Sequence, residues 1–179
     1  MFSDPQKNVA QLDVREGDHV ADFGAGSGAY AFAIARRVGS SGRVYAIDIQ
    51  KELLAKLKNE ARRENIFNIE IIWSDLDNEK GTALREASVD ACVVSNLLFQ
   101  VSSKEQVIAE VWRILKPGGK ILIIDWNDSY GGLGPTNQDV FSKQSAQELL
   151  SKEGFVYEKD IDAGAYHYGM IFKKNNKTT

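Results

Sequence analysis

Glycine recurs at every second position in Val20-Ala21-Asp22-Phe23-Gly24-Ala25-Gly26-Ser27-Gly28-Ala29-Tyr30, directly after an apolar run that carries one acid. Residues without a Cβ at this spacing let a strand turn tightly into a helix, and they admit a ligand to the main chain where a side chain would clash. The ligand then lies at the N-terminus of that helix, among N–H groups that have no partner within it. Asp48 follows Gly28 by twenty residues and closes a second apolar run, Arg43-Val44-Tyr45-Ala46-Ile47-Asp48. An acid at that distance is where a nucleoside ribose is held.

A chain of 179 residues suits one domain. It is long enough for a substantial core and too short for a cofactor domain plus a full substrate domain. We expect a single domain over residues 1–175 and a frayed polar tail at 176–179. The composition, 43% hydrophobic and 26% charged, is that of a globular protein, and no apolar run approaches the roughly 20 residues needed to span a bilayer. The first residues lack a basic start followed by an apolar stretch, so no secretory signal is read there. A lone Cys92 forbids an internal disulfide and any cysteine-rich metal site, and a reducing cytoplasm is the expected setting. A net charge of −3 gives no bulk attraction to nucleic acid or anionic lipid.

Strand and helix signals alternate along the chain. Asp4-Pro5 is a helix start, with an N-cap acid and proline at the first helical position, and it opens a short helix to about Leu12. Strands are predicted over residues 19–23, 43–48, 68–73, 88–95 and 120–126, and helices over 29–38, 51–64, 103–115 and 142–153. Lys116-Pro117-Gly118-Gly119 reads as the turn that stops the fourth of these five helices. Residues 127–139 hold three glycines and Pro135 and read as one long irregular loop. Residues 155–161 and 166–173 pair as a hairpin across Asp162-Ala163-Gly164-Ala165. This order predicts an α/β, Rossmann-like, doubly wound sheet of seven strands, mostly parallel, with an antiparallel strand from the C-terminal hairpin.

Ligands of such sheets bind outside the carboxyl ends of the strands. That rule collects Asp22 to Gly28, Asp48 to Lys51, Ser74-Asp75-Leu76, residues 95–100, Asp125-Trp126-Asn127 and Tyr166-His167-Tyr168 on one rim. His167 and Tyr166 are the candidate catalytic groups, because an unperturbed imidazole titrates near neutrality. His167 could equally be a hydrogen-bonded strand histidine. Strand alternation puts Tyr166 and Tyr168 on one face and His167 on the other. His19, on the opposite rim, and Cys92, inside a buried strand, read as packing residues.

In these residues the chain resembles the class I S-adenosylmethionine-dependent methyltransferases over nearly its whole length. Asp22-Phe23-Gly24-Ala25-Gly26-Ser27-Gly28 is similar to the family's first motif, Asp48 to its ribose-binding acid and Ser74-Asp75-Leu76 to its adenine-contacting acid with neighbours. Residues 89–96 look like the fourth motif, and residues 115–120 like the turn before strand five. The small-molecule branch that includes ubiquinone and menaquinone biosynthesis methyltransferases is the nearest likeness. The resemblance implies S-adenosyl-L-methionine as cofactor and S-adenosyl-L-homocysteine as product. It implies that Asp22 orients the methionine amino group, that Gly24, Ala25, Gly26 and Gly28 admit methionine and ribose, and that Asp48 accepts the ribose hydroxyls beside Ile49. Asp75 takes the adenine amino group and the Leu76 N–H faces the ring, with Ser74, Ser95 and Asn96 completing the expected cofactor wall.

Phe99, Gln100, Trp126 and Tyr168 are the expected contacts of a small-molecule acceptor. With so short an N-terminal segment, shielding of that acceptor falls to these residues, to residues 129–138 or to a second subunit in a homodimer. Asp125 and Asn127 with Asp22 bring to mind the magnesium site of catechol-type methyltransferases. Ser95-Asn96 stands where that site's acid after strand four belongs, so no metal is expected. Nucleic-acid amino-methylation and cytosine-C5 chemistry are disfavoured, since Asn96-Leu97-Leu98-Phe99 lacks the paired prolines and no Pro-Cys is present. Two other classes stay open at this point. An NAD-dependent oxidoreductase shares the glycine turn but would need a Tyr-x-x-x-Lys pair or a catalytic domain, and a non-catalytic binding module or partner subunit would keep the cofactor motifs without turnover. Asp75 could also be no more than a helix N-cap.

Overall fold

The computed structural model describes residues 3–78 and 81–175, so the tail expected at 176–179 lies outside the described residues. Twelve elements follow in chain order: α1 (Pro5–Ala10), β1 (His19–Phe23), α2 (Ala29–Val38), β2 (Arg43–Asp48), α3 (Lys51–Arg63), β3 (Ile69–Trp73), β4 (Val89–Ser95), α4 (Lys104–Ile114), β5 (Leu115–Trp126), α5 (Lys143–Lys152), β6 (Phe155–Ile161) and β7 (His167–Lys174). The seven strands form one sheet in the order β3-β2-β1-β4-β5-β7-β6. The first five run parallel, and β7 enters antiparallel to both β5 and β6. Strand order reverses between β1 and β4, and an open sheet leaves a crevice at its carboxyl edge at such a point.

Alternation divides each strand between two cores. Val20, Val44, Ala46, Val93, Leu122, Ile124 and Ile171 meet α1, α2 and α3, while Ala21, Phe23, Ile47, Cys92, Val94, Ile121, Ile123 and Met170 meet α4 and α5. Sealing both faces requires apolar residues at successive positions, and Ile121-Leu122-Ile123-Ile124 is fully buried for that reason. Each such side chain contributes about 1.5–3 kcal/mol when taken from water.

Local chemistry sets most of the ends. Asp4 caps α1 by accepting from the backbone N–H of Gln6 and Lys7, although the helix stops at Ala10, short of the expected Leu12. The turn expected at residues 116–119 is instead the start of β5. Leu115 pairs with Val89 and Lys120 with Ala91 across a bulge, and the Lys116 ammonium pairs with Asp90 at 2.6 Å. Tertiary pairing with β4 therefore draws the Pro-Gly-Gly segment into the sheet. Tyr166 falls in a turn before β7, which begins at His167, so it shares no strand face with Tyr168. Asp75 precedes no helix and its carboxylate closes a local turn by accepting from the Asp77 N–H and from the Asn78 side-chain amide.

Candidate active site

The glycine turn is held from beneath by β2. Gly24 and Ala25 both donate their N–H to the Ile47 carbonyl at 2.9 Å, and the Gly28 N–H closes on the Ala25 carbonyl at 2.8 Å. Gly24 and Gly26 have φ of +73° and +53°, values that side chains resist. Gly28 serves a different purpose from the one expected. A Cβ there would lie 2.7 Å from the Leu57 side chain, so its bareness lets α2 pack on α3, and it stands off the cavity wall.

In front of this turn opens a cavity of about 550 Å³. Among the expected cofactor residues Asp22, Gly24, Ala25, Gly26, Asp48, Ile49, Ser74, Asp75, Leu76, Ser95 and Asn96 all line it. They come from four separate segments. The carboxyl ends of β1, β2 and β4 bring Asp22, Asp48 and Ser95 together on the face that α2 and α3 cover. Asp48 is fixed by two backbone donors, Gly26 on one oxygen and Gln50 on the other, each at 2.8 Å. Asp22 is 1% exposed and one of its oxygens has no partner. Burial pushes its pKa up to about 7, with the charge of Asp48 adding to the rise.

Sequence reasoning missed other parts of this wall, including Tyr30, Leu53 and Asp77, while Gln50 lies within the expected stretch from Asp48 to Lys51. Leu53 follows from the first turn of α3 after Asp48. Asp77 accepts from the N–H groups of Ser102 and Ser103, binding the segment after β3 to the start of α4 and closing the adenine end expected from Asp75. No local signal marks that contact, which joins residues 25 and 26 positions apart.

The expected acceptor and catalytic residues divide. Gln100 lines the cavity, whereas Phe99, Trp126, Tyr166, His167 and Tyr168 stand off its wall. Tyr168 points to the other face of the sheet, where its hydroxyl donates to the Phe141 carbonyl at 2.9 Å. Trp126 and His167 are register partners on β5 and β7, with rings 4.5 Å apart. Both ring nitrogens of His167 are buried without a hydrogen-bond partner, and burial holds its pKa below the usual imidazole value. Tyr130 joins this group edge-on to Tyr166 at 4.8 Å, and Gly134 passes so close to Trp126 that a Cβ would meet the indole at 2.6 Å. The loop over residues 127–139 thus adds Tyr130 to an aromatic cluster with Trp126, Tyr166 and His167. Asp125, on the opposite face, accepts from the Trp126 N–H at 2.8 Å and sits with its pKa pushed up to about 6 by burial.

An open parallel sheet with a glycine turn, an acid closing β2 and a cavity over the strand-order reversal defines the class of nucleotide-cofactor-binding α/β domains. Within that class the chain belongs to the methyltransferase-domain family, which it matches over residues 15–175. It is 25% identical to a demethylmenaquinone methyltransferase of Lactobacillus johnsonii, over 92% of this chain and 80% of that protein. It is 29% identical to the ubiquinone/menaquinone biosynthesis C-methyltransferase UbiE of Francisella tularensis subsp. novicida, over 97% of this chain and 67% of the relative. A crystal structure of a SAM-dependent methyltransferase from Aquifex aeolicus superposes with a TM-score of 0.87 at 26% identity, covering 97% of this chain and 90% of that one. The cyclase SpnF shares the fold at a TM-score of 0.82 and 16% identity, covering 96% and 79%. The fold by itself therefore does not specify the reaction.

Proposed function

We propose that this protein transfers the methyl group of S-adenosyl-L-methionine to a small-molecule acceptor, and that Asp22, Asp48 and Asp75 hold the donor along the cavity. The observation that carries this reading is their placement: three carboxylates from β1, β2 and the segment after β3 line one cavity beside Gly24 and Gly26. The unpartnered oxygen of Asp22 suits an ammonium, because a buried carboxylate without a donor is costly until a cation pairs with it. Asp48 uses one backbone N–H per oxygen and keeps lone pairs for two ribose hydroxyls. The exposed Ile49 side chain and the Leu76 backbone flank an adenine ring beside Asp75.

When bound, the sulfonium supplies an activated methyl group that needs no metal. The chain's own work is then alignment of an acceptor atom in line with the methyl and the leaving sulfur. Such alignment reaches effective molarities on the order of 10⁵ M or more. We assign no proton transfer to His167, whose nitrogens are buried beside Trp126. The aromatic cluster of Trp126, Tyr130 and Tyr166 suits a partly apolar acceptor arriving over the rim. The names of the quinone-pathway relatives support a ring acceptor of that kind.

Calorimetric titration with S-adenosyl-L-homocysteine, with NAD as the control, tests the donor. Incubation with S-adenosyl-L-methionine and an acceptor panel that includes reduced naphthoquinones, read by mass spectrometry, tests transfer. Binding of NAD in place of S-adenosyl-L-homocysteine would overturn the reading.

A further inference from the structure

Around the Tyr30 phenol, which lines the cavity and feels the charge of Asp22, three polar side chains form a closed ring. The Asn8 amide nitrogen donates to the Tyr30 hydroxyl at 2.8 Å and to the Ser3 hydroxyl at 2.8 Å, and those two hydroxyls bond to each other at 2.9 Å. Asn8 lies on α1, outside the residues that match the family, and Tyr30 lies on α2 and lines the cavity. Ser95 stands close enough to the phenol to interact with it.

Counting donors and acceptors shows what the ring leaves over. Asn8 spends both N–H bonds, and one hydroxyl hydrogen settles the Ser3–Tyr30 contact, so the other remains uncommitted. On the acceptor side, Asn8 Oδ1, Asp22 Oδ2 and Ser95 Oγ are all buried with no partner, with Asn8 and Asp22 each 1% exposed and Ser95 8% exposed. Buried polar groups are rarely left unpaired, because each costs about 1–3 kcal/mol. Of these oxygens Asp22 Oδ2 and Ser95 Oγ line the cavity, and with the spare hydroxyl hydrogens of the Ser3–Tyr30 pair and of Ser95 they are complementary to a group that both donates and accepts hydrogen bonds. An α-amino acid end, ammonium plus carboxylate, has that composition.

Resting on the donor assignment above, we propose that Ser3, Asn8 and Tyr30 form a clamp for the amino-acid end of the cofactor. Tyr30 is the positioning residue and the N-terminal segment is part of the cofactor site. The Tyr30 phenol stays neutral in this role, since burial raises its pKa, and it acts as a hydrogen-bond partner and not as a base. The ring fixes the phenol beside Asp22 on the cavity wall, and the ligand in turn pairs the oxygens that Asp22 and Ser95 leave bare there.

The test compares two ligands on the intact chain. S-Adenosyl-L-homocysteine carries the amino-acid end, whereas 5′-methylthioadenosine keeps the adenine, ribose and sulfur without it. Tyr30→Phe is expected to weaken S-adenosyl-L-homocysteine about tenfold or more, the loss of one charge-assisted hydrogen bond, and to leave 5′-methylthioadenosine within about twofold. Ser3→Ala, which removes one exposed-side member of the ring, is expected to shift the same ligand in the same selective way by a smaller factor. Equal losses for both ligands would make the ring merely structural and overturn the proposal. Unchanged affinity for both would do the same. Failure of the unsubstituted protein to bind either ligand would instead strike the donor assignment itself.

Discussion

The Asp48 carboxylate accepts the backbone N–H of Gly26 at 2.8 Å, so the acid that ends β2 also fixes the shape of the glycine turn that follows β1. One side chain thus organises the cradle, and under the proposed function it also presents lone pairs to a ribose. Asp48→Ala is expected to lower affinity for S-adenosyl-L-homocysteine by about 100-fold, since two hydrogen bonds to a charged group are lost. It should also cost about 1–3 kcal/mol of stability through the unpaired Gly26 N–H. Calorimetry and thermal melts separate the two effects, and an unchanged dissociation constant would remove the ribose assignment.

Asp22 makes ligand binding depend on pH. Its carboxyl, raised from 3.8 to about 7, is largely protonated at pH 6 in the free protein and ionised at pH 8. An ammonium at the Asp22 oxygen prefers the ionised form, so affinity for S-adenosyl-L-homocysteine should rise from about pH 6 to about pH 8 and level off above. The stability of the free protein moves the other way. The folded state holds the proton more tightly than the unfolded chain, so this group's contribution is fully present below pH 3.8 and is lost as pH rises through about 7. The loss is on the order of 4 kcal/mol. Asp22→Asn is expected to flatten both profiles. A binding profile that stays steep in Asp22→Asn would assign the titration elsewhere.

Gly28 and Gly131 offer a matched pair of substitutions. Both have positive φ, +92° and +57°, but a Cβ at Gly28 would strike Leu57 whereas at Gly131 nothing lies within 4 Å. Gly131→Ala is expected to cost about 1 kcal/mol for backbone strain alone. Gly28→Ala adds overpacking between α2 and α3 and should cost about 3 kcal/mol or more. Denaturant melts read the difference, and equal costs would mean that α3 gives way freely.

His167 can be replaced to advantage. Its two buried nitrogens have no partner, so His167→Phe is expected to stabilise the protein by about 1 kcal/mol and to leave binding of S-adenosyl-L-homocysteine unchanged. With the folded pKa held below 6.5, the unfolded chain takes up the proton first, and stability falls as pH drops below 6.5. His167→Phe should remove that dependence. Loss of methyl transfer with cofactor affinity intact would restore His167 as a catalytic group.

Much of the cavity wall was legible because its determinants are local. Asp22, Gly24, Gly26 and Asp48 each sit at the end of a strand whose apolar run is visible, and the carboxyl-end rule needs only the order of the strands. The acceptor side was read less well. Tyr168 was expected at the mouth, but its register opposite Asp125 on β5 puts it on the face of Ile123 and Met170, where its hydroxyl donates to Phe141. Lys116 to Gly119 carry every local mark of a turn, yet pairing with β4 and the Asp90 carboxylate extend them as strand.

The sequence by itself determined a parallel α/β sheet, a glycine turn and the carboxylates around it, because hydrophobic period, capping and backbone sterics act between near neighbours. Only the tertiary structure decided that Asn8 holds Tyr30, that Asp77 ties the start of α4 to the cavity, and that His167 is buried against Trp126. Those contacts join residues up to dozens of positions apart. Their energies depend on burial and on which polar atoms are left unpaired, and neither is fixed until the chain has folded.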